Sequence, residues 1–198
     1  MKLIYKGKYD GSESSLPTRE HMPGAVQFRE PDSMKKLAVI ANGIALVVTA
    51  ACIALVYWRA PGDGVLGRLG DNSFGFLIGY LLFMVSLFPH EILHALCFRD
   101  TVYLYTNWKQ GLLFVVGTED MSKARFVFMS LLPNIVFGFI PLIAYLIWPQ
   151  LTVLGGLGAL AVGAGAGDYF NVFNALTQMP KGARTYMHGM HSFWYMPK

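Results

Sequence analysis

Four stretches of the chain carry apolar residues without the polar alternation that a half-exposed helix or strand would need. Leu37 to Trp58 runs 22 residues without a formal charge, and Phe126 to Trp148 is likewise uncharged. Phe74 to about Phe98 has no ionisable side chain in its first 16 residues, up to Pro89, and Leu151 to Leu176 holds one charge, Asp168. A bilayer core is crossed by about 20 mostly apolar residues, so each stretch predicts a transmembrane helix. The expected fold is an all-α integral membrane protein with four transmembrane helices (37–58, 74–98, 126–148, 151–176). They form a membrane domain over 37–176, with a tail of residues 1–36 before it and one of residues 177–198 after it. Between spans two and three, Val102-Tyr-Leu-Tyr105 and Leu112-Leu-Phe-Val-Val116 flank Thr-Asn-Trp-Lys-Gln-Gly. Two β-prone runs around such a segment predict a short β-hairpin with a loose turn.

Composition agrees with this pattern. The chain is 54% apolar and 14% charged, against about 25% charged residues in an average soluble domain. That excludes a soluble globular, disordered or nucleic-acid-binding protein as the expectation. The net charge of +4 hints at a polyanion partner only until the charges are located. The N-terminal tail, the 99–125 loop and the C-terminal tail hold seven, four and three lysines and arginines, while the opposite side holds only Arg59 and Arg68. Basic residues stay cytoplasmic, so both termini are expected in the cytoplasm, with the protein multi-pass in the cytoplasmic (inner) membrane. No signal peptide precedes the first span, which is expected to act as an uncleaved anchor. Cys52 and Cys97 both lie in apolar segments and read as small apolar fillers.

Ionisable groups inside a span are expensive and functional by default. Here they are His90, Glu91, His94 and Asp168. The first three form His90-Glu91-Ile92-Leu93-His94, an HExxH pattern that five His and five Glu would produce by chance roughly 0.003 times. Residues four apart share a helix face, so both imidazoles can chelate one ion, and Glu91 can serve as general base to an attacking water. Catalytic zinc takes three protein ligands and leaves a position for water. Asp168 is the expected third ligand, because it lies about 26 Å into its span and His90 about 24 Å into a span of the same direction. Both would then stand near the cytoplasmic face. Glu119 and Asp120 are competing ligands that fit ordinary loop charges better. Pro89 is expected to kink the helix before the motif. Gly155, Ala159, Gly163 and Gly167 form a small-residue seam leading to Asp168, with Gly75 and Gly79 a shorter one. Asn134 or Asn171 could orient a ligand or donate to an oxyanion. His188 and His191 read as solvent-facing.

The His90-Glu-Ile-Leu-His94-Ala-Leu segment, Met121-Ser-Lys-Ala-Arg125, Gly167-Asp168-Tyr-Phe-Asn171 and Met179-Pro-Lys-Gly-Ala183 resemble the bacterial "putative zincin peptidase" membrane proteins. These are similar in layout to site-2 proteases, the intramembrane zinc metalloproteases. The resemblance covers roughly residues 74–196. It implies zinc held by His90, His94 and Asp168, with Glu91 as catalytic base. The order Gly167-Asp168 departs from the Asp-Gly of site-2 proteases.

The expected function is therefore an intramembrane zinc metallopeptidase that cleaves a membrane-protein or peptide substrate near the cytoplasmic face, in contact with membrane lipid and without nucleic acid. The alternative is a non-catalytic membrane protein with a structural or transport-related metal site.

Overall fold

The computed structural model describes residues 1–31, 34–107 and 112–197, apart from the side chains of residues 34, 35 and 112. The central part of the expected hairpin turn, residues 108–111, lies outside the described residues. The chain divides into two compact units, one of Met1–Pro31, Glu91–Leu131 and Phe170–Lys198, the other of Asp32–His90 and Leu132–Tyr169.

The first unit contains two sheets. β1 (Lys2–Lys8) lies parallel to β3 (Thr101–Asn107), which pairs antiparallel with β4 (Leu112–Val116) in the order β1-β3-β4. The second sheet runs β2 (Val26–Gln27), β7 (His191–Tyr195), β6 (Arg184–His188) and β5 (Met121–Ser122), antiparallel throughout. Phe28, Phe98, Val102, Met121, Phe126 and Met179 make up much of one core cluster of this unit, and Tyr9, Leu16, Tyr105 and Val116 make a second.

These strands correct the all-α expectation. The described residues hold seven strands in two sheets beside the helices, so the fold is mixed α and β. The 102–116 hairpin forms, with Tyr103 opposite Val116 and Asn107 opposite Leu112, but as two strands of a larger sheet. What the hydrophobic pattern missed is the tail strands. Lys2–Lys8 is largely polar, and Val26–Gln27 is only two residues long. Their order comes from main-chain pairing with strands far along the chain, such as Lys2 with Thr101 and Val26 with Trp194, and not from an apolar run of their own.

The second unit is helical. α1 (Met34–Arg59), α2 (Gly64–Gly70) and the larger part of α3 (Ser73–Leu96) precede a π-helical segment (Asn134–Phe139), α5 (Ile140–Ile147) and α6 (Thr152–Ala164). α4 (Lys123–Pro133) belongs mostly to the first unit, and the residues of α7 (Ala166–Gln178) are divided between the two. Among the described residues, three helical stretches, Lys36–Arg59, Ser73–Leu96 and Lys123–Ile147, are long and apolar enough to cross a membrane. The fourth apolar stretch is two helices, α6 and α7, bent by 50° at a break, so the number of such stretches rises to four only if that pair is one span. α1 leaves Val39, Leu46, Val47 and Trp58 exposed, and α3 leaves Leu77, Leu81, Val85 and Phe88 exposed.

α6 is the centre of this unit because its glycines admit neighbours at backbone distance. A Cβ on Gly155 would sit 2.9 Å from the ring of Tyr145, one on Gly158 2.5 Å from Leu142 N, and one on Gly163 1.8 Å from Thr49 Oγ1. Gly79 of α3 meets Val153 O in the same way, at 2.5 Å. Gly167, the last member of the expected seam, has open space around it, so the close packing ends before α7.

Candidate metal centre

α3 continues through Pro89 as one element, and the motif lies in its final two turns. The donor atoms of His90, Glu91 and His94 all fall within 4.8 Å of one another, the convergence that an i, i+4 pair with an intervening acid produces on one helical turn. His94 is 8% exposed, and its Nδ1 donates to the carbonyl of Met129 at 2.9 Å. A carbonyl oxygen only accepts, so Nδ1 carries a proton, and in the neutral tautomer Nε2 has the lone pair. A backbone carbonyl on the far nitrogen is the usual way in which a ligating histidine is fixed in tautomer and orientation.

Asp168 lies in the first turn of α7, where the helix dipole favours negative charge. Its Oδ2 stands 3.3 Å from His90 Nε2 and accepts a hydrogen bond from Asn134 Nδ2 at 2.7 Å. The 3.3 Å separation exceeds the roughly 2.7–2.9 Å of a charge-assisted N–H···O bond. It matches the edge of a zinc tetrahedron, since two ligands each about 2.05 Å from the ion stand roughly 3.3–3.4 Å apart. The donor set is two imidazoles with nearby carboxylates, and it fits zinc in both chemistry and this spacing.

Asn134 is 1% exposed and opens the π-helical segment, which follows Pro133 and ends just before Pro141. Each proline removes a backbone donor, and between them the helix adopts the wider register often found at functional positions. Room for the Asn134 side chain comes from Gly165, at the α6–α7 break, where a Cβ would lie 1.8 Å from Asn134 Oδ1. Tyr169 closes the same corner, its hydroxyl donating to Val162 O at 2.8 Å. Asn134 thus holds the acid, one of the two roles open to it in the sequence. Asn171, the other candidate, is half-buried on α7.

Glu91 is held by an element that the spacing of the motif does not reveal. Its Oε2 accepts the Val115 N–H of β4 at 3.0 Å. β4 is an edge of its sheet, and Val115 is opposite Leu104, so this amide points away from the ladder. The competing acids are engaged elsewhere. Glu119 accepts the amides of Arg99 (2.6 Å) and Asp100 (3.0 Å) and pairs with Arg125 at 2.6 Å, while Arg125 Nε also donates to Cys97 O at 2.9 Å. Burial pushes the Glu119 carboxyl up, but those two amides and the guanidinium outweigh it and hold it below the ordinary carboxylate range. Asp120 pairs with Arg184 and accepts from Tyr195 Oη at 2.8 Å. His188 and His191, expected to face solvent, are half-buried partners across β6 and β7, and His188 Nδ1 donates to Arg19 O at 2.7 Å.

A protein-family model described as "Putative zincin peptidase" matches residues 83–184, which is just over half of the chain and includes His90, Glu91, His94 and Asp168. No curated protein and no solved structure matches the chain.

Proposed function

The chain belongs to the "putative zincin peptidase" family, and on that premise we propose that it is an intramembrane zinc metallopeptidase acting near the cytoplasmic face. His90, His94 and Asp168 hold the metal in this reading, and Glu91 is the general base. The observation that carries it is the 3.3 Å approach of Asp168 to His90 with Asn134 on the same carboxylate oxygen. That approach brings an acid from a distant helix to the motif.

Zinc bound there supplies Lewis acidity, lowering the pKa of a water and polarising the scissile carbonyl. Glu91 accepts the proton of the attacking water and returns it to the leaving amine. Asn134 keeps the Asp168 carboxylate aimed, and Met129 O fixes the His94 tautomer whose Nε2 would face the metal. The substrate must be extended before attack, because helical carbonyls are already hydrogen-bonded. The outer edge of β4, whose Val115 amide reaches Glu91, suits an added strand next to the base.

Placement in the membrane rests on the apolar helices and on the apolar side chains exposed along α1 and α3. The two sheets also support the orientation. Strands paired by hydrogen bonds must lie on one side of a bilayer, and the pairs β1–β3, β2–β7 and β5–β6 link the N-terminal tail, the 99–125 loop and the C-terminal segment. These three carry 14 of the 16 lysines and arginines.

Glu91→Gln tests the reading. The variant is expected to keep stoichiometric zinc by elemental analysis and to lose cleavage of membrane-protein fragments by about 10²-fold or more. A variant that binds zinc and leaves the fragment pattern of wild-type cells unchanged would replace the enzyme with a structural or transport-related metal site. Metal-free wild-type protein, purified without chelator, would remove both.

A further inference from the structure

Apart from the histidine motif, the unit that holds the sheets contains a groove of about 530 Å³, within the size range of small-molecule sites. Ala124, Val127 and Leu176 contribute to an apolar floor, and Lys123, Lys181 and Arg184 stand along it. None of its lining residues is acidic. Lys123 is the first residue of α4, and Leu176 lies in the last turn of α7. The groove therefore opens where two of the apolar helices end, and Lys181 and Arg184 lie in the segment that leads away into β6.

The three cations differ in how they are held. Lys123 Nζ donates to Leu176 O (3.2 Å) and Met179 O (2.8 Å), which fixes its charge at the end of α7. Arg184 is balanced by Asp120. Lys181 is exposed. With one carboxylate against three cations, the rim keeps an excess of positive charge above a hydrocarbon-like floor. The complement of that arrangement is an amphiphile with an anionic head and an acyl tail.

We propose that this groove binds an anionic phospholipid, its phosphate against Lys123 and Lys181 and one acyl chain along Ala124, Val127 and Leu176. The proposal rests on the membrane reading of α4 and α7, and it is independent of the metal centre. A basic residue at a membrane surface strengthens attraction to anionic lipid by about fivefold, so reversing one charge should weaken binding by tenfold or more.

The test uses the full chain in neutral detergent, titrated by calorimetry with short-chain phosphatidylglycerol, with phosphatidylcholine of the same chain length, and with inorganic phosphate. Saturable binding of phosphatidylglycerol, with phosphatidylcholine at least tenfold weaker and phosphate alone weaker still, is the expected result. Lys181→Glu should weaken phosphatidylglycerol by tenfold or more with zinc content unchanged. Ala124→Phe, which fills the floor from an exposed position, should weaken it too, with the unfolding temperature of the lipid-free protein unchanged. Equal binding of the two lipids would overturn the proposal, as would phosphate binding as tightly as the lipid, or Lys181→Glu binding like wild type. Should Ala124→Phe disturb folding, Lys181→Glu decides alone. Resistance of the protein to carbonate extraction reports the membrane reading separately, so failure of one does not pass for failure of the other.

Discussion

Adding a single methyl group at Gly165 should disable the metal centre without touching a ligand. In Gly165→Ala the new Cβ would lie 1.8 Å from Asn134 Oδ1, 2.6 Å from Asn134 Cγ and 2.9 Å from Tyr169 Cζ. Real Cβ contacts essentially never fall under 3.0 Å, so the Asn134 amide must move from 1.8 Å to at least that distance. It has little freedom to do so: the residue is 1% exposed, and its Nδ2 is held by Asp168 at 2.7 Å. Retreat of the amide breaks that bond to a carboxylate, a loss of about 1.5–3 kcal/mol, with overpacking adding about 1–3 kcal/mol. Loss of a partner that orients a metal ligand typically lowers affinity by about 10–100-fold, and that is the expected drop in zinc affinity, measured by competition with a chromogenic chelator. Gly163→Ala is the control, because its Cβ meets Thr49 Oγ1 at the same 1.8 Å and its three nearest atoms all belong to Thr49. Both variants should unfold at lower temperature, but only Gly165→Ala should lose zinc. Wild-type zinc affinity in a destabilised Gly165→Ala protein would refute the role given to Asn134.

Three further outcomes follow from the same contacts. Asn134→Ala should reproduce the zinc defect of Gly165→Ala, and the double variant should lose little more affinity than either single one, since both act through one bond; additive losses would place their effects in separate mechanisms. Val115→Pro deletes the amide that reaches Glu91 but no ladder hydrogen bond, because that amide faces outward from the edge strand; zinc content and far-UV circular dichroism should hold while cleavage falls, and unchanged cleavage would remove β4 as the substrate's partner. Glu119→Gln should lower stability by about 1–3 kcal/mol at neutral pH, read as a shift in denaturant midpoint. Its sign with pH is fixed. The folded carboxyl titrates below its ordinary value, so its contribution is complete above about pH 4.3 and disappears as pH falls through the lower folded value. Wild type and Glu119→Gln should therefore converge in acid, and a gap that widens in acid would contradict the clamp.

The sequence by itself determined what depends on near neighbours. Helical apolar runs announce themselves through hydropathy, so the chain pattern anticipated α1, α3 and the stretch from Lys123 to Ile147, as it did the β3–β4 hairpin. The i, i+4 spacing of His90 and His94 needs only a helix to bring their donors together, and Asp168 stood out because it is the one charged residue in the fourth apolar stretch. Tertiary structure decided the rest, because each remaining feature depends on a partner far along the chain. Lys2–Lys8 and Val26–Gln27 have too little apolar character to declare themselves, and they become strands by pairing with Thr101–Asn107 and Phe193–Trp194. The bend at Gly165 is invisible to composition, since glycine also occurs in the continuous helices α1 and α3. The hold of Asn134 on Asp168, and the amide of Val115 on Glu91, follow from packing across 34 and 24 residues of chain. Candidate donors can thus be read from residue types at a spacing, but the groups that hold those donors were chosen by the fold, because orientation comes from whatever packs against them.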